Sequence, residues 1–369
     1  MCGAQPRLSA ACSGEGGDVS ASRDPPGKSA VTGSRALIDL LSRLIRPGTP
    51  SFRVMRAVYR RLPLPTTLKA RIATLAGSNG PRPRRDSDVG LPGSPGDRTG
   101  WLLSHISPEA QDGLEIGPLC FPLVTKAASG GRVQYVDFST AEKLREKYKD
   151  DPNVRTDEIV ETDFLWGRQS LPELVNGRLF DYVIASHVIE HVPNMLGWLR
   201  EVASVLKDGG LLLLAVPDKR YTFDYKRDLT SFGSLIEAFL LDRRRPGIRD
   251  IFDQVSLATR VDTSEAWSGK LDPLGLRHYS SPEAAFEQAK AYLLTDEYND
   301  VHVNILTPAS FRRLLEQASQ LHLLDFSLLG LQETTYGSCE FLVCLRRLSR
   351  DRSRGESLAL QLDSFRRPS

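Results

Sequence analysis

The chain has 369 residues, with 48 Lys plus Arg against 46 Asp plus Glu, a formal charge of +2, 40% hydrophobic and 25% charged residues. That balance belongs to a soluble globular protein long enough for a large core, and near-neutrality excludes a surface given over to nucleic acid. Cys2, Cys12, Cys120, Cys339 and Cys344 never fall as C-x-x-C, which speaks against a disulfide framework or a cysteine zinc site; no metal is expected, and a reducing cytoplasm fits best.

Residues 1–35 are rich in Gly, Ser, Ala and Pro and are expected to be disordered, because they have too few large apolar side chains to offset the entropy of ordering. Residues 36–77 read as a basic helical arm. Leu37, Ile38, Leu41, Leu44 and Ile45 recur at helical spacing, and a run of arginines faces only Asp39. Such an arm suits an anionic membrane surface or a polyanionic partner, or else docks as a helical pair with solvated arginines. A Pro, Gly and Arg-rich linker follows over 78–100. No apolar run approaches the roughly 18 residues of a spanning helix, and the first residues lack a signal peptide's apolar core. A cytoplasmic protein, peripheral at most to the inner face of a membrane, is expected.

Over 101–347 strand-like and helical runs alternate, the pattern of a parallel α/β sheet. Strands are predicted at Gly113–Gly117, Val133–Asp137, Val154–Val160, Phe180–Ser186 and Leu211–Val216. Helices are predicted over Asn194–Leu206 and from Thr307-Pro308, where a cap residue precedes proline. His322–Leu331 and Cys339–Leu345 form a closing hairpin. The charge-rich stretch 218–306 breaks the rhythm and reads as a lid insertion, and 348–369 reads as a basic tail.

Ligands of such a sheet lie outside the carboxyl ends of its strands. The first end, Leu114-Glu115-Ile116-Gly117-Pro118-Leu119-Cys120, has a glycine for a tight turn but no G-x-G-x-x-G, which counts against dinucleotide binding. The second ends in Asp137, a carboxylate able to accept both hydroxyl hydrogens of a ribose. The third offers Asp163 and Phe164, a carboxylate and an aromatic plane suited to adenine.

The fourth runs Phe180-Asp181-Tyr182-Val183-Ile184-Ala185-Ser186-His187-Val188-Ile189-Glu190-His191-Val192-Pro193-Asn194, with LKDGGLLLLAVPD after it. From Leu114 to Pro217 the chain resembles a class I S-adenosylmethionine-dependent methyltransferase. The resemblance implies a Rossmann-like three-layer sandwich around a seven-stranded sheet whose last strand is antiparallel. It implies S-adenosyl-L-methionine as cofactor, with Glu115, Gly117 and Pro118 in the cofactor loop, Asp137 on the ribose, Asp163 and Phe164 on the adenine, and Ser186 to His191 beside methionine and substrate. Pro118-Leu119-Cys120 departs from the family, which more often has further glycines there.

A hydroxyl acceptor needs a base near the transition state, and His187, His191 and Asp218 are the candidates. Two rivals stand beside this reading. His187-Val188-Ile189-Glu190-His191 also matches H-x-x-E-H, the inverted zinc peptidase motif, although that motif requires a helix and His187 directly follows a strand. The reduced glycine loop also suits a catalytically silent adapter in glycan assembly. For the acceptor, Tyr221, Phe223, Trp267, the Arg243-Arg244-Arg245 run, His278 and His302 offer rings and paired charges suited to a sugar or its phosphate. The segments VPDKRYTFD and HVNILTP are similar to bacterial methyltransferases of surface-polysaccharide biosynthesis, which implies a glycan, sugar nucleotide or related polar molecule as acceptor.

Overall fold

The computed structural model describes residues 98–367 apart from positions 168, 296 and 297, so the segments expected over 1–35 and 36–77 lie outside it, as does the linker up to residue 97. After α1 (Arg98–Leu103) come β1 (Gly113–Ile116), β2 (Val133–Asp137), α2 (Ala141–Tyr148), β3 (Phe164–Leu165), α3 (Leu171–Leu174) and β4 (Phe180–Ser186). Then follow α4 (Met195–Val205), β5 (Leu206–Pro217), the insertion helices α5 (Phe232–Leu240), α6 (Ile248–Leu257), α7 (Thr263–Trp267) and α8 (Pro282–Leu293), then α9 (Pro308–Gln320). The chain closes with β6 (Phe326–Gln332), β7 (Glu340–Arg347) and α10 (Arg354–Arg366).

The strands form one seven-stranded sheet in the order β3-β2-β1-β4-β5-β7-β6. β1 to β5 are parallel, and β7 runs antiparallel between β5 and β6. The order reverses between β1 and β4, which opens a crevice at their carboxyl ends. β4 has its middle buried on both faces, as a central parallel strand must. Val183, Leu212 and Leu214 pack with Leu199 and Val202 of α4 and with Phe311 and Leu314 of α9. Tyr182, Ile184 and Leu213 pack on the other face with Leu102 of α1 and Val124. α4 starts where Asn194 Oδ1 accepts the Gly197 N–H at 2.9 Å.

One expectation is corrected. The predicted strand Val154–Val160 is a loop with a single 3-10 turn, Thr156–Glu158; its Arg155, Asp157 and Glu158 are solvated charges, and Arg155 pairs with Glu158. The third strand is instead Phe164–Leu165, hydrogen-bonded to Val136 and Asp137. The basic stretch beyond 347 carries α10, which buries Gln361 and Phe365, and Gln361 Nε2 donates to Leu324 O at 2.7 Å. The insertion after β5 returns to the sheet: Asn304 Nδ2 donates to Ile189 O and Val192 O, both at 2.8 Å, beyond the end of β4. No helix among the described residues is long and apolar enough to cross a membrane.

Candidate active site

At the end of β1 the backbone turns at Gly117 with φ +65°, and a Cβ there would sit 3.1 Å from Val188 Cγ2. Glu115 does not face the crevice. It is buried and accepts the Leu123 and Val124 N–H groups at 2.7 and 3.1 Å, so it braces the loop that Gly117 and the buried Pro118 begin. Burial pushes its carboxyl up to about 7 against those two hydrogen bonds.

Asp137 closes β2, 8% exposed, and accepts the Phe138 N–H at 2.7 Å. Burial pushes its carboxyl up to about 6, with Lys147 opposing. Phe138 stands 60% exposed beside it, under the Lys147 ammonium at 4.5 Å. Asp163 stops one residue short of β3, level with Tyr135. One oxygen accepts the Tyr135 N–H at 2.8 Å and the other pairs with Lys126 at 2.5 Å. Phe164 is paired within the sheet and packs on the core. Trp166 follows, its backbone N–H donating to Asp137 O at 2.8 Å and its indole N–H to Gln169 O at 3.2 Å. Asp163 and Phe164 thus sit at the third strand as expected, with the carboxylate engaged by Lys126 and the Tyr135 N–H and with the Phe164 and Trp166 rings both half-buried against the core.

β4 ends at Ser186, whose hydroxyl accepts from the Arg98 guanidinium of α1. His187 follows with φ +53°, a left-handed conformation that a side chain rarely adopts and that turns its ring across the crevice. His187 Nε2 lies 2.6 Å from Glu340 Oε2 on β7, and Nδ1 lies 3.5 Å from Glu190 Oε1. Arg98 also pairs with Glu340 at 3.4 Å. Burial lowers the His187 pKa, but the carboxylates of Glu190 and Glu340 outweigh it and push the imidazole up to about 9.

The 3-10 turn Ile189–His191 is stitched to the insertion, because Glu190 O accepts the Val303 and Asn304 N–H groups at 2.6 and 3.0 Å. This brings His302 beside it, with the His191 and His302 rings edge-on at 4.7 Å. His302 Nδ1 lies 2.6 Å from Asp224 Oδ2, and Asp224 Oδ1 pairs with Arg227 at 2.9 Å. Burial would raise the Asp224 carboxyl, yet His302 and Arg227 hold it down at about 2. His191 Nδ1 lies 2.9 Å from Asp300 Oδ1, and Lys147 reaches the other oxygen at 3.4 Å. Burial lowers the His191 pKa while Asp300 and Glu190 more than reverse it, a net rise.

Of the predicted bases, the structure sets aside two. Asp218 is fully buried, and its oxygens are taken by the Arg220 guanidinium, the Arg220 N–H and the Thr334 hydroxyl, so it has no free lone pair directed at an acceptor. His187 stands between the carboxylates of Glu190 and Glu340, with Nε2 taken by Glu340. His191 remains, 30% exposed at its side chain. The H-x-x-E-H reading also fails: its residues span a strand end, a left-handed residue and a 3-10 turn, and His187 turns to Glu340 instead of joining His191 on one helix face.

Within the insertion, only His302 among the predicted acceptor residues reaches the β4 turn. Tyr221 and Trp267 stack on one another at 4.1 Å, Arg243 and Arg244 form surface ion pairs, Arg245 caps α8 carbonyls, and His278 Nδ1 bonds Ser256 O. Arg98, Trp166, Asp300 and Glu340 carry no signal in the sequence pattern. Arg98 lies in what reads as a linker, and Glu340 lies far along the chain, just before the apolar run Phe341 to Leu345.

The crevice suits S-adenosylmethionine. A buried carboxylate with a raised pKa stands where ribose hydroxyls would donate to it, a glycine-turned loop lets a ligand approach the β1 end, and the exposed Phe138 ring stands beside the carboxylate. Solved structures similar to the chain include the CcbJ methyltransferase of Streptomyces caelestis, at 14% identity over 72% of this chain and 100% of that one, TM-score 0.34. Another is an S-adenosylmethionine-dependent methyltransferase of Mesorhizobium loti, at 15% identity over 70% of this chain and 100% of that one, TM-score 0.34. A third is the magnesium protoporphyrin IX methyltransferase of Synechocystis, at 15% identity over 84% of this chain and 99% of that one, TM-score 0.29. Comparison with curated proteins gives no match. Residues 98–321, the sheet's first five strands with the insertion and α9, match the family model described as methyltransferase domain, and the chain belongs to that family as a methyltransferase whose cofactor is S-adenosylmethionine.

Proposed function

We propose that the chain methylates a hydroxyl oxygen of a polar small molecule, with a sugar, sugar nucleotide or glycan as the acceptor class. The observation that carries this reading is the gathering of Glu190, His191, His302 and Asp300 at the mouth of β4, beside the crevice that Asp137 and the Gly117 turn define. A hydroxyl is a poor nucleophile until its proton is drawn away, and this is the group of side chains able to hold an oxygen and receive a proton.

S-adenosylmethionine supplies a methyl group already made electrophilic by its sulfonium. The protein is left to orient, desolvate and manage a proton. Asp137 fixes the ribose end, and the Glu115 brace fixes the loop that covers it. Arg98 and Glu340 lock Ser186 and His187, so the floor under the methyl group is rigid. His191 and Glu190 hold the acceptor oxygen, and the insertion, tied down through Asn304 and Asp300, closes over it.

The test is incubation of the purified protein with S-adenosylmethionine carrying a labelled methyl group and a panel of sugar nucleotides and glycans. Label in an alkali-stable methyl ether is expected. Label in an ester or on nitrogen would overturn the oxygen assignment, and cofactor binding without transfer to any acceptor would favour an adapter. An acceptor-independent role for the basic residues over 36–77, contact with an anionic membrane or an assembly partner, is part of the same proposal and is checked by vesicle flotation of the full chain.

A further inference from the structure

We propose that Glu190, His191 and His302 form a binding site for one first-row divalent cation of the Mn2+ or Zn2+ kind. Each offers one ligand atom, and the three atoms lie within 4.8 Å of one another. Glu190 is 1% exposed and neither of its carboxylate oxygens is hydrogen-bonded among the described residues, the nearest charges being His187 Nδ1 at 3.5 Å and His191 Nε2 at 3.8 Å from Oε1. A carboxylate so deeply buried is ordinarily satisfied by donors or by a metal, because leaving its lone pairs unmet is costly.

The histidines carry the matching feature. His302 Nδ1 is hydrogen-bonded to Asp224 at 2.6 Å, and His191 Nδ1 faces Asp300 at 2.9 Å as an ion-pair contact. A carboxylate on Nδ1 holds the proton there and leaves the Nε2 lone pair free, which is how metal-binding imidazoles are commonly oriented. Both Nε2 atoms are therefore the ones left for a ligand, and His191 Nε2 lies 3.8 Å from Glu190 Oε1. Ligands about 2.1 Å from a cation stand roughly 3 to 3.5 Å apart, so small side-chain rotations close the site. The backbone already holds the parts together, since Val303 and Asn304 bond to Glu190 O. Asp224 is in turn fixed by Arg227, which Gln254 and His302 O hold in place.

His187 stays outside the set, because Glu340 takes its Nε2. Two imidazoles and one carboxylate favour Mn2+, Fe2+, Co2+ or Zn2+ over Mg2+ or Ca2+, and they leave coordination positions open. On the O-methylation reading, and resting on it, an open position would take the acceptor hydroxyl and ease loss of its proton to solvent. The oxygen lone pair would then form the new O–C bond to the methyl group as the C–S bond breaks, its electron pair staying on sulfur in S-adenosylhomocysteine.

The test uses the full chain, stripped by chelator and titrated with Mn2+ under electron paramagnetic resonance, with Zn2+ content measured after dialysis. One equivalent per chain is expected, with Mg2+ a poor competitor. Glu190→Gln should weaken Mn2+ by about 100-fold, and Asp224→Asn, which keeps an oxygen for Arg227 and reaches the cation through His302, by about 10-fold or more. Absence of stoichiometric Mn2+ or Zn2+ binding in the wild type, or unchanged affinity in a folded Glu190→Gln, overturns the site. If that variant does not fold, pulsed resonance on wild-type Mn2+ decides, since imidazole nitrogen coupling supports the site and its absence refutes it. Stoichiometric metal with methylation on nitrogen would leave the site standing and sink the oxygen reading; an ether product from metal-free protein would do the reverse.

Discussion

Asp224 Oδ2 and His302 Nδ1 stand 2.6 Å apart, 78 residues apart in the chain, and both side chains are buried. This contact ties the start of the insertion to its end, with Arg227 at 4% exposure completing the group. Asp224→Ala would strand a guanidinium in the interior and should cost about 3 to 5 kcal/mol. Urea unfolding of the single variant and of Asp224→Ala/Arg227→Met checks it, the double variant recovering part of the loss.

Asp137 gives a pH signature with two faces. Its carboxyl is raised from 3.8 to about 6 by burial, so between those values the native protein holds a proton that the unfolded chain has released. Stability of the cofactor-free protein therefore falls as pH rises through that window and levels off above it. Asp137→Asn should raise stability at pH 7 by up to about 3 kcal/mol. The same substitution should weaken S-adenosylhomocysteine and abolish the drop in wild-type affinity expected below pH about 6, as calorimetric titration across pH would read.

Glu115 acts on the cofactor at one remove. Glu115→Ala leaves the Leu123 and Val124 N–H groups without acceptors, a loss of about 1 to 3 kcal/mol for each. Hydrogen exchange should quicken over 117–124, and cofactor affinity should fall although Glu115 touches none of the cofactor. Unchanged exchange in that loop would show that the brace is not what shapes it.

Asp163 and Trp166 should part company. With its carboxylate committed to Lys126 and the Tyr135 N–H, Asp163→Ala should leave S-adenosylhomocysteine affinity within about twofold. Trp166→Ala should weaken it by about tenfold through loss of a stacking plane. Equal losses in both would place the adenine beside Asp163 too.

Much of the fold is legible in the amino-acid sequence because β2 and β4 are short apolar runs ending in polar residues, and α4 and α9 declare their caps in Asn194 and Thr307. The Val154–Val160 run misleads because a few apolar residues at period two are set among charges that prefer solvent, whereas β3 needs only Phe164 and Leu165. At the site, local sequence places Asp137, Ser186, His187 and His191 at strand ends. It cannot show that Glu340 neutralises His187 or that His302 stands against His191, since both are tertiary meetings of distant segments. Asp218 stands at a strand end, where a free carboxylate is expected, and is closed off by its own neighbour Arg220.

The placement of β7 between β5 and β6 bears on how the protein is made. A nascent chain that has emerged only to Pro217 can pair β1 through β5, but the apolar flank of Leu211 to Val216 is then an open edge. His187 at that stage has no Glu340 to meet its charge. Only when the β6-β7 hairpin has left the ribosome can one strand both seal that edge against aggregation and deliver the carboxylate that meets His187.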